Sequence, residues 1–580
     1  MRVSAFGVAA LLAALAIFRW LSPLPPPRAL HITQLTHFGH VEPVGGLTMD
    51  GGRVFYVRKE TDRYKLMQVA VSGGESEPFQ PAFENGVILD LAPDRSEFLA
   101  KLIASTSPGE QEFLLLPFVG GAPRRLNNLS GRDAIFFPDG RKIVYTKVDG
   151  IYVCDRNGSG AHKLVNLPGI SWGLAWSPDG RVLRFTLENT KNYDFSLWEV
   201  SSDGSNLHPL FPERHAPENE CCGQWSADGR YFFFVSNRGD PNAGEVNVWA
   251  RREKRSAVPW SKPGLPVRLT AGPTSFGFLR ASPDGRRLFV AGIAHEQNEM
   301  LRVAHDKKSL TPIFDSGDVH AATMSPKGDW LAVVLGDWTL WRSRPDGTER
   351  TQLSVDFGGY VDVPRWSPDG RWIVFQGRKD GHPSNIYKVR ADGGPSQELL
   401  PNDQRHEIPD WSPDGESVVY SVPDEGDAHP KEASGFFILN LKTGKTIRIP
   451  GSEGMADAQL TTDSRYLVGL GGSDLDLDTV KVFDFQTHRW KDVAHGNDFY
   501  RLRKSPGGEY FYFQDIRSPG EPLFRMHNSD WKVEKVMTFE SMLKGDVVRC
   551  RFAGVMQDGS PMVIAVRGGY ELYSVDLDLP

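Results

Sequence analysis

The sequence predicts an all-β protein assembled from about twelve four-stranded units set radially in two rings, and three observations predict it. A ten-residue phrase recurs: Trp366-Ser-Pro-Asp-Gly-Arg-Trp-Ile-Val-Phe375 has near-copies beginning at Trp176, Trp225 and Trp411. Its turn returns, intact or degraded, at twelve places spaced 40–56 residues apart, which is the period of a propeller blade. Between the turns the apolar residues fall in short runs without helical periodicity.

Within one unit the elements follow from local chemistry. Val363–Trp366 is a short apolar run that reads as the first strand. Pro368 fixes φ for the second position of a β-turn, Asp369 tolerates the third, and Gly370 supplies the positive φ that closes it. Trp372–Phe375 is the second strand and Asn385–Val389 the third; after the hairpin signal Asp392-Gly393, Gln397–Leu400 is the fourth. The same turn stands at Asp50-Gly51, Asp94, Asp139-Gly140, Asp179-Gly180, Asp228-Gly229 and Asp284-Gly285. It continues at Gly328, Asp369-Gly370, Asp414-Gly415, Asp463, Gly507-Gly508 and Asp558-Gly559. Radial repetition buries both faces of each sheet and leaves only short edges. Twelve blades exceed what one ring holds. Tandem β-propellers with rings of six or seven blades are therefore expected, residues 28–317 forming the first and 318–580 the second.

The two ends of the chain complement each other. Glu571–Asp576 matches a third strand, and Ile32–Thr36 matches a fourth strand such as Pro266–Thr270. An N-terminal strand completing a blade begun at the other end is expected. Ahead of it, Val3–Phe18 is almost wholly apolar and is followed by Arg19, Trp20 and the Pro-rich Leu24–Pro27. Residues 1–27 are expected to be a hydrophobic helix and linker. Trp20 suits an interfacial anchor, with the bulk of the protein on the extracytoplasmic side of the inner membrane. Cleavage after Ala14-Leu15-Ala16, releasing the protein to the periplasm, is the alternative.

At 580 residues, 40% hydrophobic and 24% charged, the composition is that of a globular chain, and a net charge of −7 points away from nucleic acid. The basic run Arg251–Arg255 leads into a Pro-rich stretch and reads as a solvated loop. Four cysteines with no CxxC spacing exclude a disulfide framework and a zinc site. Adjacent Cys221 and Cys222 are expected to be buried small side chains, the alternative being a vicinal disulfide or a redox-sensitive pair.

The aromatic-Ser-Pro-Asp-Gly phrase, its apolar triplet and the following Ile/Leu-Tyr/Trp pair resemble the TolB-like β-propeller repeat. The resemblance is strongest at Ser177–Gly180, Ser282–Gly285, Ser367–Gly370 and Ser412–Gly415. More narrowly, "RWSPDGRWIVF", "SLWEVSSDGSNLHPL" and "ECCGQW" resemble the repeat region of bacterial CadC-like winged-helix regulators. That resemblance implies an extracytoplasmic propeller beyond a membrane span. The winged helix of those regulators is lacking, so DNA binding is not carried over. The α/β domain that precedes the propeller in TolB is lacking too, and the Tol–Pal adaptor role is not carried over either.

Motifs for catalysis are few. No Gly-x-Ser-x-Gly elbow is present, and Pro450-Gly-Ser-Glu-Gly454 has Pro where the first Gly should stand. His295-Glu296 lacks the second zinc-binding His, and Asp474-Leu-Asp-Leu-Asp478 lacks the turn Gly of a calcium loop. No cofactor and no metal are expected. Binding is the better candidate. Residues five before the turn Ser of the second-half blades should sit near one mouth of the central channel: His320, Asp362, Glu407, Tyr500 and Arg551. The expectation is a non-catalytic propeller binding a protein or small ligand and no nucleic acid, with a sensor module as its setting. The alternatives are a propeller hydrolase or lyase with catalytic residues on channel loops, and an envelope-assembly scaffold.

Overall fold

The Ser-Pro-Asp-Gly phrase closes the same turn wherever it stands intact. Ser367 Oγ donates to Asp369 Oδ1 at 2.6 Å, and the same carboxylate oxygen accepts from Arg371 N at 3.0 Å. Trp372 N donates back to Ser367 Oγ at 2.9 Å, and Gly370 N donates to Ser367 O at 2.9 Å. The Ser177, Ser226, Ser282 and Ser412 turns repeat this pattern. The Ser367 hydroxyl holds the Asp369 carboxyl below its ordinary range. Gly370 has φ 70°, and open space surrounds the position a Cβ would take. Substitution there is therefore opposed by the backbone alone. Gly370→Val is expected to destabilise by about 1–3 kcal/mol, and Asp369→Asn by less, since Asn also suits the turn. Thermal unfolding checks this; an unchanged melting curve for both variants would contradict the turn assignment.

The computed structural model describes residues 25–580 apart from 43–46, 60–63, 81–82, 84, 103–109, 190–193, 213–218, 239–245, 254–262, 273, 294–296, 305–308, 314–317, 356, 380–381, 403, 424–433, 473–476 and 544–546. The expected anchor helix lies outside the described residues, as do His295, Glu296, Asp474 and Asp476. No helix among the described residues is long and apolar enough to cross a membrane.

The described residues form twelve four-stranded antiparallel sheets. Five follow one another between residues 48 and 268, and five more between 319 and 537. The other two are composite. One runs Ser275–Ala281, Arg287–Ile293, Glu571–Asp578, Arg28–Gln34, and the other Val547–Val555, Pro561–Arg567, Gln297–Val303, Leu310–Pro312.

Apolar cores lie between neighbouring sheets and trace two closed circuits. The composite sheet holding both chain ends closes the first, because Phe289 and Leu572 pack with Tyr56 and Met67 on one side. On its other side Leu288 and Tyr573 pack with Phe233 and Val248. The second composite sheet closes the other circuit. Met300 and Met562 meet Val319 and Val333, while Leu301 and Val563 meet Tyr512 and Leu523. The result is two six-bladed propellers. The division read from the sequence, 28–317 and 318–580, differs from the strand pairing. Residues 297–312 belong to the second ring and 571–578 to the first, so the chain passes between the rings twice.

The N-terminal strand closes the first ring. Ile32 lies opposite Val575 and Gln34 opposite Tyr573. Leu35 N and Val41 N extend the contact by donating to Leu572 O and Tyr570 O.

The first, innermost strands of consecutive blades contact one another all round the second ring and along most of the first. Most carry a bulge at one position. In the blade of the opening phrase, Asp362 pairs with Gln376 and Arg365 with Val374, so two residues oppose one. The same register break falls at 172/175, 221/224, 276/279, 407/410, 456/459 and 500/503. Bulges re-aim side chains where a sheet meets a functional surface.

Cys222 occupies one of these bulges with φ 61°, and its sulfur is joined to that of Cys221 as a vicinal disulfide. Of the two expectations for this pair, the structure takes the disulfide; Cys222 is buried and Cys221 half-buried. Cys154 and Cys550 are free and buried, and burial pushes their thiols up to about 11 and about 12. Denatured, unreduced protein is therefore expected to label at these two thiols only, and at all four cysteines after reduction. Four labels without reduction would contradict the disulfide.

His406 is fully buried, with Nδ1 3.1 Å from Asn385 Oδ1 and its ring edge-on to Tyr420. Burial holds it down to about 4. The folded protein thus keeps a neutral imidazole where the unfolded chain, at an ordinary value near 6.5, takes up a proton. This contribution is present above about pH 6.5 and is lost as pH falls toward 4, amounting to about 3 kcal/mol. His406→Gln is expected to flatten that part of the stability–pH curve; an unchanged slope would contradict the assignment.

Candidate functional site

The bulge of the second ring's inner strands sets what lies below it. One residue from each blade, two before the turn Ser or its equivalent, reaches a shared cavity on the turn side of the channel: Thr323, Arg365, Asp410, Gln459, Arg503 and Gly554. The residue after the turn Ser or its equivalent forms the rim: Pro326, Pro368, Pro413, Thr462, Pro506 and Gln557. Four prolines make that rim stiff. Trp366 and Trp411 form an apolar wall, fixed because their Nε1 groups donate to Thr323 O at 3.2 Å and Arg365 O at 3.1 Å. The cavity holds about 300 Å³, at the lower end of small-molecule sites.

The floor is charged and incompletely paired. Arg365 is only 5% exposed; its Nη1 donates to Pro364 O at 3.0 Å, while Nε and Nη2 have no hydrogen-bond partner. Asp457 lies beneath, 3.8 Å from both Arg365 Nη2 and Arg503 Nη1, and accepts from Leu502 N at 2.8 Å. Arg503 donates to Ala553 O and Leu502 O. Lys504 Nζ stands 3.3 Å from Asp410 Oδ2, an ion pair without hydrogen-bond geometry, so Asp410 Oδ2 accepts no hydrogen bond, and neither does Gln459 Oε1. Burial first, and then the neighbouring Arg365, disfavour the charge on Arg503. Three cations face two carboxylates here, leaving one positive charge over. Leaving buried donors and charges unpaired is costly.

The first ring provides an internal contrast at the same strand position. Arg280 there reaches Leu47 O, Gln224 Oε1 and Asp90 Oδ1 at 3.0, 3.3 and 3.1 Å, so every guanidinium nitrogen has a partner on another blade. That channel is cross-linked by its own side chains. In the second ring Arg365 Nε and Nη2 make no hydrogen bond at all.

None of the five residues singled out from the sequence lines this cavity. The structure gathers three of them around Arg501 above the bulge. Asp362 Oδ2 is 3.4 Å from Arg501 Nη2, and the Arg501 guanidinium lies over the Tyr500 ring at 5.3 Å. Burial pushes the Tyr500 phenol up, but Arg501 and Arg551 together outweigh it and hold the phenol below its ordinary value. His320 joins through stacking: its ring lies 3.8 Å from Trp338, which lies 4.4 Å from Tyr360, whose hydroxyl donates to Asp362 at 3.2 Å. Glu407 turns away to Arg405 Nε at 2.7 Å. Asp362 and Glu407 are thus each paired with an arginine, Arg501 and Arg405, while Arg551 acts on the cluster through its charge. The spacing argument missed the floor because it counted an unbulged strand. A signal was available: Arg365, Asp410, Gln459 and Arg503 are polar residues embedded in buried strands two places before the turn. Among the described residues, no group of three or more His, Cys, Asp or Glu converges as a metal set would.

No protein-family model matches the chain. It is 36% identical over 141 residues to the uncharacterized protein Atu1656 of Agrobacterium fabrum, an alignment covering 23% of this chain and 45% of that protein. The chain thus spans less than half the length of that relative. Among solved structures, TolB from Acinetobacter baumannii is 12% identical with a TM-score of 0.34, covering 61% of this chain and 81% of that one. The GH74 enzyme of Niastella koreensis is 12% identical with a TM-score of 0.35, covering 93% and 91%. Similarity at this level transfers no activity, ligand or partner to this chain.

Proposed function

We propose that this chain is a non-catalytic ligand-binding double propeller whose second ring receives a small molecule or a protein segment at the turn side of its channel. In the same proposal residues 3–21 hold it at the inner membrane, with the propellers on the extracytoplasmic side as the binding half of a sensor. Arg365 carries the binding reading: a buried guanidinium with two unmet donor nitrogens at the floor of a cavity whose rim is rigid. A ligand group that meets those donors removes the cost of leaving them unmet. The kinship with TolB-like repeats, read from the Ser-Pro-Asp-Gly phrase, is compatible with this role and adds no ligand to it.

Native mass spectrometry of the full chain against a broad panel of metabolites and peptides tests the reading. Retention of an unmodified panel member, abolished by Gln557→Trp at the rim, is the expected result. Retention that ignores Gln557→Trp, or conversion of the member to product, would overturn it.

A further inference from the structure

We infer that the cavity takes the C-terminal end of a peptide, its terminal carboxylate on Arg365 and Arg503 and its last side chain against Trp366 and Trp411. The inference rests on the binding reading above and names the class of ligand.

Three observations select that chemistry. The floor has one positive charge in excess, which a single carboxylate neutralises; a phosphate would bring more negative charge beside Asp410. Arg365 Nε and Nη2 make no hydrogen bond, Nη2 lying 3.8 Å from Asp457 Oδ1, and side by side they form the two-pronged fork that a carboxylate accepts bidentately. Asp410 Oδ2, ion-paired with Lys504 at 3.3 Å, and Gln459 Oε1 accept no hydrogen bond. Inorganic phosphate and sulfate bring few donors or none, whereas the last amide N–H of a peptide lies within one residue of its carboxylate. A free amino acid would also donate, but as a zwitterion it would leave the excess charge in place.

The wall completes the match. Trp366 and Trp411 are held by hydrogen bonds to the backbone of the neighbouring inner strands, so they present fixed apolar surface beside the fork. The floor lies behind a ring of six turn residues, which a chain end enters more readily than a chain middle. An apolar final residue is the expected preference.

The test uses the full chain and a library of N-acetylated pentapeptides randomised at the last three positions. The library is made once as free acids and once as C-terminal amides. Native mass spectrometry identifies retained peptides, and calorimetry measures them. Free acids ending in an apolar residue are expected to bind, with amidation weakening them about 10- to 100-fold, the value of a charge-assisted pair. Arg365→Met is expected to weaken the same peptides comparably while leaving the melting temperature little changed, because Asp457 keeps Arg503 at 3.8 Å when Arg365 is gone. The free-acid-to-amide ratio on unaltered protein needs no variant, so a misfolded Arg365→Met would not blur the result. Equal binding of acids and amides, blocked by Gln557→Trp, would overturn the inference and leave the binding reading standing. Binding of acetate or inorganic phosphate without any peptide would do the same. Loss of every retained species, on this library and on the broad panel, would overturn both.

Discussion

Deleting residues 28–38 is expected to lower the melting temperature by about 10 °C or more and to drive self-association. The segment supplies the outer strand of the blade that closes the first ring, so its loss uncovers the edge of Glu571–Asp578. It also removes Leu35, 5% exposed within the core shared with Tyr56, Phe289 and Leu572. A polar clasp goes with it. Thr36 Oγ1 donates to Glu571 Oε2 at 2.5 Å and accepts from Leu572 N at 2.8 Å, while Gly39 N donates to Glu571 Oε1. Without Thr36, and with Gly39 no longer anchored by the strand, Glu571, whose carboxyl burial already pushes up, loses a donor. Leu35→Asp should reproduce much of the effect by placing a charge in that core, at a cost of several kcal/mol or about 3–5. Scanning calorimetry and sedimentation check both proteins. A monomer with unaltered unfolding would show that the strand is no clasp.

The second large effect concerns where the rings divide. A fragment of residues 297–567 contains every strand of the second ring and is expected to fold cooperatively by itself. A fragment of 318–580, the division suggested by an even split of the repeats, lacks Gln297–Val303 and Leu310–Pro312. It is left with an open blade of two strands and an orphan strand at 571–578. It is expected to aggregate or to show no cooperative transition, since the open strand edge invites pairing. Circular dichroism melts and proteolysis of the two fragments decide. Cooperative folding of 318–580 alone would contradict the crossed topology.

Much of this architecture is legible in the sequence because the turn has strict local chemistry. Ser367, Pro368, Asp369 and Gly370 each have a stated backbone role, and all twelve turns found by that grammar stand between the first and second strands of a blade. The clasp is legible for the same reason: Ile32–Thr36 looks like a fourth strand with no third strand near it. The ring boundary is not, because Arg287–Ile293 and Gln297–Val303 follow one another in sequence like the second and third strands of any blade, and nothing local marks the change of ring. The site escapes for a different reason. Counting back five residues from the Ser to Asp362 or Tyr500 assumes regular alternation. The bulges at Val363, Ile408, Asp457 and Arg501, with φ between 47° and 53°, break it. Val and Ile at positive φ have no sequence signal that would announce them.

The most direct measurement of the central claim is photocrosslinking in living cells from two positions of the second ring. One reporter replaces Gln557 at the rim of the turn-side cavity; the other replaces Trp338, in the hairpin beside His320 at the opposite end of the inner strands. The account predicts an adduct from position 557 that mass spectrometry traces to the end of a peptide or protein chain, lost in the Arg365→Met background, and none from position 338. An adduct from position 338 alone, or one from 557 that Arg365→Met leaves intact, would contradict it.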